Sequence, residues 1–446
     1  MVEGVYSVRL IKEYISNNGG TFRAAVETMV VPLMKSDFVQ KVGETFATRI
    51  LLIGIGLVTS VLVARILGPE GRGLYAVAMA IGAIGVQFGN LGLHASNTYS
   101  LASERSHLPA LVGNTLIVSS VVGGSGSVLA WIVFSLRPEL APVHGLLLML
   151  SLLWIPFGLA YLLLVNLLLG IHEVRAYNKV ELTNQILCVI LIGLLMLAGA
   201  VSVDTVFSAT LIALFVGLCF AFFVLKKHLA EFPRPSISLF RNNIVYGLKV
   251  YLASFFSFLV LRVDLLLIKY LVGAEQAGYY SISATMADMV YILPVVIGTI
   301  LFPKLSEIKE LQLKWAVTKK VSIFTGGMMI LLACFTVPFA RPAVKLLFGV
   351  AYLPAVTPFL WLLPGIVALS AQTIFIIFLS SSGLPWSAVG YMFVALLINI
   401  TLNIVLIPKA GILGASIAST ISYSLMLAMS LLISIRSLKI FREIKQ

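Results

Sequence analysis

The chain has 446 residues, 60% of them hydrophobic and 11% charged, with a formal net charge of +13. A soluble domain carries roughly 25% charged residues, so water is excluded as the main solvent. Excess positive charge can mark a nucleic-acid partner, but in so apolar a chain the basic residues report membrane orientation, and no nucleic acid is expected.

Segment 1–40 comes first. It mixes Val5, Leu10, Ile11 and Ile15 with Lys12, Glu13 and Arg23, a pattern open to two readings: an interfacial amphipathic helix, or an extension created by a mis-assigned start, with Met34 as the true beginning. No short apolar core followed by a small-residue cleavage site is present, so no removable signal peptide is read; segment 1–24, lying outside the internal repeat described below, is expected to be dispensable.

From Val42 to Ile435 apolar stretches recur, each about 20 residues and so able to cross a hydrocarbon core of about 30 Å as a helix. The ten-residue alternation of a membrane barrel does not persist. The predicted fold is an all-α polytopic membrane protein of about 12 transmembrane helices. The first six start near Val42, Leu74, Leu111, His144, Asn178 and Val203, and the second six near Ile244, Gly278, Val317, Leu353, Trp386 and Gly411. Between the sets, segment 226–243 is basic and carries Pro233 and Pro235. Residues 41–225 are therefore expected to form one six-helix lobe, 226–243 a cytoplasmic linker, and 244–446 a second lobe with a basic tail. With both termini cytoplasmic, inside segments collect roughly 21 Lys and Arg and outside loops roughly 6, the bias that sets orientation. Cys188, Cys219 and Cys334 all fall in apolar segments, where sulfur acts as a small hydrophobe, and offer no disulfide framework or zinc spacing.

An internal repeat supports two lobes. Gly68-Pro-Glu70-Gly-Arg-Gly73-Leu-Tyr75 and Gly273-Ala-Glu275-Gln-Ala-Gly278-Tyr-Tyr280 both read G-x-E-x-x-G-x-Y. Each follows an outward-running span at the same place in its half, so the halves are expected to be parallel repeats about an axis along the membrane normal.

The run Thr48-Arg49 through Val63-Ala64-Arg65-Ile-Leu67-Gly68-Pro-Glu70-Gly-Arg-Gly73-Leu-Tyr75 resembles the opening of the polysaccharide transporters. These are the O-antigen and exopolysaccharide flippases of the multidrug/oligosaccharidyl-lipid/polysaccharide exporter superfamily. Arg262-Val-Asp264-Leu-Leu-Leu, Phe302-Pro303-Lys304-Leu and Ile407-Pro408-Lys-Ala-Gly411-Ile-Leu-Gly414-Ala extend the resemblance from about Lys41 to the C-terminus. It implies a V-shaped pair of six-helix lobes, alternating access in the cell (inner) membrane, and an undecaprenyl-diphosphate-linked oligosaccharide as cargo. Besides that cargo and the membrane lipids, polysaccharide polymerase machinery is the expected partner, and the chain is expected to be monomeric.

No P-loop, G-x-S-x-G, H-E-x-x-H or paired Cys and His appears, so neither an enzyme nor a resident cofactor is expected, and transport is expected to draw on H⁺ or Na⁺. Polar groups at membrane depth are costly and call for a reason. In the second span Gln87, Asn90, His94 and Asn97 share an arc of about 80°, opposite Gly82, Gly85, Gly89 and Gly92. The glycines suit helix packing. The amides either face a cavity, where they would bind sugar hydroxyls, or bond neighbouring helices. In the first span Arg49 lies about two turns above the cytoplasmic end. In the seventh, Arg262 and Lys269 share a face with Tyr251 and Phe255. A guanidinium grips diphosphate oxygens bidentately and the rings suit sugar faces, so these residues are the candidate head-group site; a structural pair with a buried acid is the alternative. Asp264 points about 200° away from Arg262. Asp288, in the eighth span, shares a face with Ser281, Thr285 and Thr299. Asp288 and Asp264 are the candidate coupling acids, with neutralisation of an arginine the alternative for Asp288.

Three rival functions are weighed. A multidrug exporter of the same superfamily would favour acids and aromatics in the first lobe, where the first span offers Arg49. A lipid II flippase would carry two further C-terminal spans. A polysaccharide polymerase or ligase would need a large outside loop, and the longest expected here, near Arg341 to Tyr352, is short.

Overall fold

The computed structural model describes residues 37–229 and 231–445, so the expectations for segment 1–36 lie outside the described residues. Within them the chain is helical, with no strand. The long elements are α1 (Asp37–Asn90), α2 (Leu93–Ser103), α3 (Leu108–Val118), α4 (Gly124–Leu136), α5 (Gly145–Gly170), α6 (Val174–Leu197) and α7 (Val203–Lys226). They continue with α8 (Ile237–Val272), α9 (Ala274–Glu307), α10 (Leu311–Leu347), α11 (Val356–Ser381), α12 (Trp386–Ala410) and α13 (Ile412–Lys445).

Eleven helical segments are long and apolar enough to cross a membrane among the described residues. The first of them runs 43 residues, Thr48–Asn90, or about 64 Å at 1.5 Å per residue, twice what a bilayer core needs. It is two spans. Gly68 breaks α1 at φ 66°, ψ 179°, a conformation essentially restricted to glycine, and Pro69 restarts the helix where its missing N–H costs nothing. Gly273 turns α8 into α9 with φ 98°, ψ 172°, so the first glycine of each motif copy makes the same turn. The third span is α3 and α4 joined by a π-helical turn at Ser119–Gly123. Segment 341–347, expected as loop, is instead the last two turns of α10, and a 3₁₀ helix (Val350–Ala355) follows at once. Helical hydrogen bonds there spare the backbone an exposure that an apolar solvent would penalise.

Packing sorts the helices. α5, α6 and α7 pack on one another and on α1, while α11, α12 and α13 pack together with α8, α9 and α10 around them. Between the two sets the main contacts are α1 with α9, α1 with α8, and α2 with α8. The expected glycine face is used as read from the sequence: Gly82, Gly85 and Gly89 bring α1 against Trp154, Ile155 and Leu159 of α5.

Candidate functional site

α8 places Arg262 and Asp264 on different sides of one helix, and their surroundings differ accordingly. Asp264 is 3% exposed. Its carboxylate accepts from the Tyr280 hydroxyl, from Ser419 Oγ at 3.3 Å and from the Leu265 N–H at 2.8 Å. Every donor comes from within the second half of the chain, and the group is enclosed.

Arg262 is different. Its Nη2 donates to Asp288 Oδ2 at 3.0 Å, with side chains 39% and 50% exposed. The pair is half exposed, and ionised groups at membrane depth are placed toward the bundle interior or a water-filled cavity rather than lipid. Of the two candidate coupling acids, Asp288 is the one in touch with Arg262 and with open space. Lys269, two turns further along α8, is half-buried next to the Gly273 turn.

In the first half Arg49 is exposed and donates to the Tyr177 hydroxyl at 3.3 Å, its guanidinium 5.9 Å from the ring centre. One turn along α6, Glu181 Oε1 accepts from the Tyr161 hydroxyl at 2.9 Å. One turn further, the side-chain oxygen of Gln185 is buried with no hydrogen-bond partner. Tyr177, Glu181 and Gln185 therefore form a stripe at i, i+4 and i+8 beside Arg49. Sequence reasoning passed over Glu181, although it is the one acid in the span Val174–Leu197 and an acid at membrane depth is itself the signal.

Of the two readings of the amide face, Asn90 and Asn97 follow the second, bonding protein groups. Asn90 is fully buried and bonds within the helix end: its Oδ1 accepts the His94 N–H at 3.1 Å, and its Nδ2 lies 2.8 Å from His94 Nδ1. Asn97, 3% exposed, accepts from Asn243 Nδ2 of α8 at 2.8 Å. The reason is a break that periodicity cannot show. Leu91 and Gly92 take left-handed φ of 49° and 79°, so α2 restarts out of register with α1, and Asn90 reaches across the break to the His94 N–H. Gln87, before the break, is half-buried. The same break turns Gly92 away from its own half and against Tyr251 and Gly247 of α8.

The aromatic residues of α8 form a wall across the two halves. The Tyr251 hydroxyl donates to the Phe88 carbonyl at 2.9 Å, and Phe255 lies 5.6 Å from Tyr251 and 6.0 Å, edge-on, from Phe88. Tyr251 is buried there, whereas Phe88 is 63% exposed. Among the described residues no group of three His, Cys, Asp or Glu is placed to hold a metal ion.

Residues 38–309, well over half of the chain, match the family model described as polysaccharide biosynthesis protein. An uncharacterized membrane protein of Methanocaldococcus jannaschii is 26% identical over 227 residues, 49% of this chain. The match spans only 45% of that relative's length. Among solved structures, an inward-facing multidrug resistance transporter of the MATE family and MOP superfamily matches with a TM-score of 0.71 at 13% identity, covering 87% of this chain and 95% of that one. A lipid II flippase in an inward-closed conformation matches with a TM-score of 0.70 at 14% identity, covering 87% and 86%. At such identities the likeness is one of fold.

Proposed function

The chain belongs to the polysaccharide biosynthesis protein family and has the fold of the MOP-superfamily transporters, and from that premise we propose that it is a flippase. It carries a polyprenyl-diphosphate-linked oligosaccharide from the cytoplasmic to the outer leaflet by alternating access, the sugar head group crossing between the lobes while the lipid tail stays in the bilayer. The reading takes the cell (inner) membrane as the location, with both termini cytoplasmic, residues 41–225 and 244–446 as the two lobes, and a monomer as the working unit. Polysaccharide polymerase machinery would receive the product.

The single observation that supports it most is the Arg262–Asp288 pair, a guanidinium neutralised by one carboxylate, with both partners about half exposed. A diphosphate carries more charge than a carboxylate and matches the planar guanidinium fork, so it can displace Asp288. Asp288 then stands as an acid without its counter-charge, a receptor for H⁺ or Na⁺, which links cargo to ion. Counted along the spans, Arg49 lies roughly 28 Å and Arg262 roughly 16 Å from the glycine that ends its helix. The two cations thus serve different stages of the crossing, with Lys269 beyond Arg262, Gln87 on the wall between, and exposed Phe88 offering a ring to sugar.

One observation favours a rival. Glu181, with Tyr161 and Tyr177, supplies the first half with the acid and aromatics that an ion-coupled multidrug exporter would use for cations. Reconstitution into vesicles separates the two. Protein-dependent loss of a fluorescent polyprenyl-diphosphate oligosaccharide from the leaflet where it was loaded, abolished by Arg262→Ala, supports the flippase. Uptake of an amphipathic cation, with no movement of the glycolipid, would replace it.

A further inference from the structure

The two copies of G-x-E-x-x-G-x-Y do more than turn the chain: they meet. A Cβ at Gly73 would lie 1.8 Å from the Ala274 carbonyl oxygen and 2.7 Å from the Gly278 nitrogen, and a Cβ at Gly278 would lie 1.8 Å from the Pro69 carbonyl oxygen and 3.2 Å from the Gly73 nitrogen. Gly73 and Gly278 hold the same letter of the motif, as do Pro69 and Ala274. The contact is therefore self-complementary, the property of a two-fold interface, here within one chain.

Contacts farther out follow the same two-fold. Arg65 and Tyr270 each stand three residues before the first glycine of their copy. Arg65 donates to the Leu347 and Leu346 carbonyls at 2.8 Å and 2.5 Å, satisfying the open end of α10 in the other half. The Tyr270 hydroxyl donates to the Leu140 carbonyl, just past the end of the third span. Arg72, buried, crosses the same seam to Ser281 Oγ at 3.2 Å, and the Tyr352 hydroxyl crosses it to the Ala64 carbonyl at 2.8 Å.

We propose that the repeated motif is the gate at one end of the transport pathway, each copy the receptor for the other, and that parting Gly73 from Gly278 opens the interior to the outer face. Backbone fits backbone only without a Cβ, so the seam is shut or open with little between. Polar bonds to carbonyls and to the Ser281 hydroxyl hold the seam together, and water can take them over when it parts. The proposal rests on the transport reading for what passes; the gate is tested without cargo.

The test uses a background in which Cys188, Cys219 and Cys334 are replaced by serine, with Thr299→Cys as reporter. Thr299 is exposed in α9, on the face that carries Asp288. A membrane-impermeant maleimide added outside should label this reporter slowly in the parent. Gly73→Ala or Gly278→Ala should speed labelling by about tenfold or more, because the closed state loses its fit. Arg65→Ala removes two bonds at an exposed site without a clash, and should act in the same direction, less strongly. In an otherwise parental background, R72C/S281C bridged by a bifunctional thiol reagent should suppress outside labelling. Unchanged labelling in folded Gly73→Ala and Arg65→Ala, or outside labelling that persists in the bridged protein, overturns the gate. Should a glycine variant fail to insert, Arg65→Ala and the bridge decide. A gate that behaves as described in a protein that moves no diphosphate lipid would overturn the cargo and leave the gate standing.

Discussion

Arg262 of α8 and Asp288 of α9 form an ion pair 3.0 Å long whose partners are both about half exposed, whereas Asp264, two residues from Arg262, is enclosed by hydroxyl groups. Two positions on one helix, two residues apart, thus have different surroundings. The first prediction follows from the exposed pair. Loss of Arg262 should cost about 2 to 5 kcal/mol of head-group stabilisation where the contact is desolvated. Arg262→Ala should therefore be nearly inactive and Arg262→Lys partly active, since lysine keeps the charge and loses the fork. Asp288→Asn should bind the glycolipid but lose the dependence of transport on pH or Na⁺. Initial rates in vesicles with imposed ion gradients check this, and Asp288→Asn with unchanged ion dependence would remove Asp288 from coupling.

The second prediction separates Asp264 from that role. Its carboxylate satisfies three donors, and an amide in its place leaves one or more of them without an acceptor, a loss of about 1–3 kcal/mol. Asp264→Asn and Tyr280→Phe should each lower the melting temperature in detergent, and the double variant should lose less than the sum of the two, because they break one network. Ion dependence should stay as in the parent. A change of coupling in Asp264→Asn at normal stability would contradict this.

The third prediction concerns orientation. Glu231 lies exposed in the basic linker and Glu275 exposed at the start of α9. In intact cells, Glu231→Cys should stay unlabelled by an impermeant reagent while Glu275→Cys reacts, as the charge bias of the loops requires. The reverse pattern would invert the protein and the direction of transport with it.

What the sequence made legible, and what it hid, has one physical cause. Span positions come from apolar length, a property of twenty residues together, so one wrong boundary does little harm, and the joined helices at Gly68 were already readable as two. The face of a single side chain depends instead on unbroken helical phase. For Arg262 and Asp264 the phase holds through α8, and the expected divergence is what the contacts describe. For Asn90 and Asn97 it fails at Leu91 and Gly92, where two left-handed residues reset the phase and turn the amides onto His94 and Asn243. The meeting of Gly73 with Gly278 was hidden for another reason. A repeat shows that two segments are alike, but not that they touch.

The last prediction turns on Arg49 and Glu181, which pull the function in opposite directions. Arg49 reaches Tyr177, and Glu181 sits one turn away, held by Tyr161. If the cargo is a diphosphate, Arg49 is the cation that meets it nearer the cytoplasmic end. Glu181 then keeps the empty site close to neutral. Removing the acid leaves Arg49 more attractive to an anion, so Glu181→Gln should keep glycolipid transport and bind the head group as tightly or more tightly. Arg49→Ala should lose most transport, and Arg49→Lys should retain part of it. If the cargo is a cation, the signs reverse: Glu181→Gln loses transport, while Arg49→Ala removes a like charge from the path and spares or improves it. Binding of a short-chain polyprenyl-diphosphate sugar to purified variants, measured beside binding of an amphipathic cation, reads both signs in one experiment. Tighter glycolipid binding in Glu181→Gln with weaker binding in Arg49→Ala is the expected result. The reversed pair would make this protein an exporter of cations.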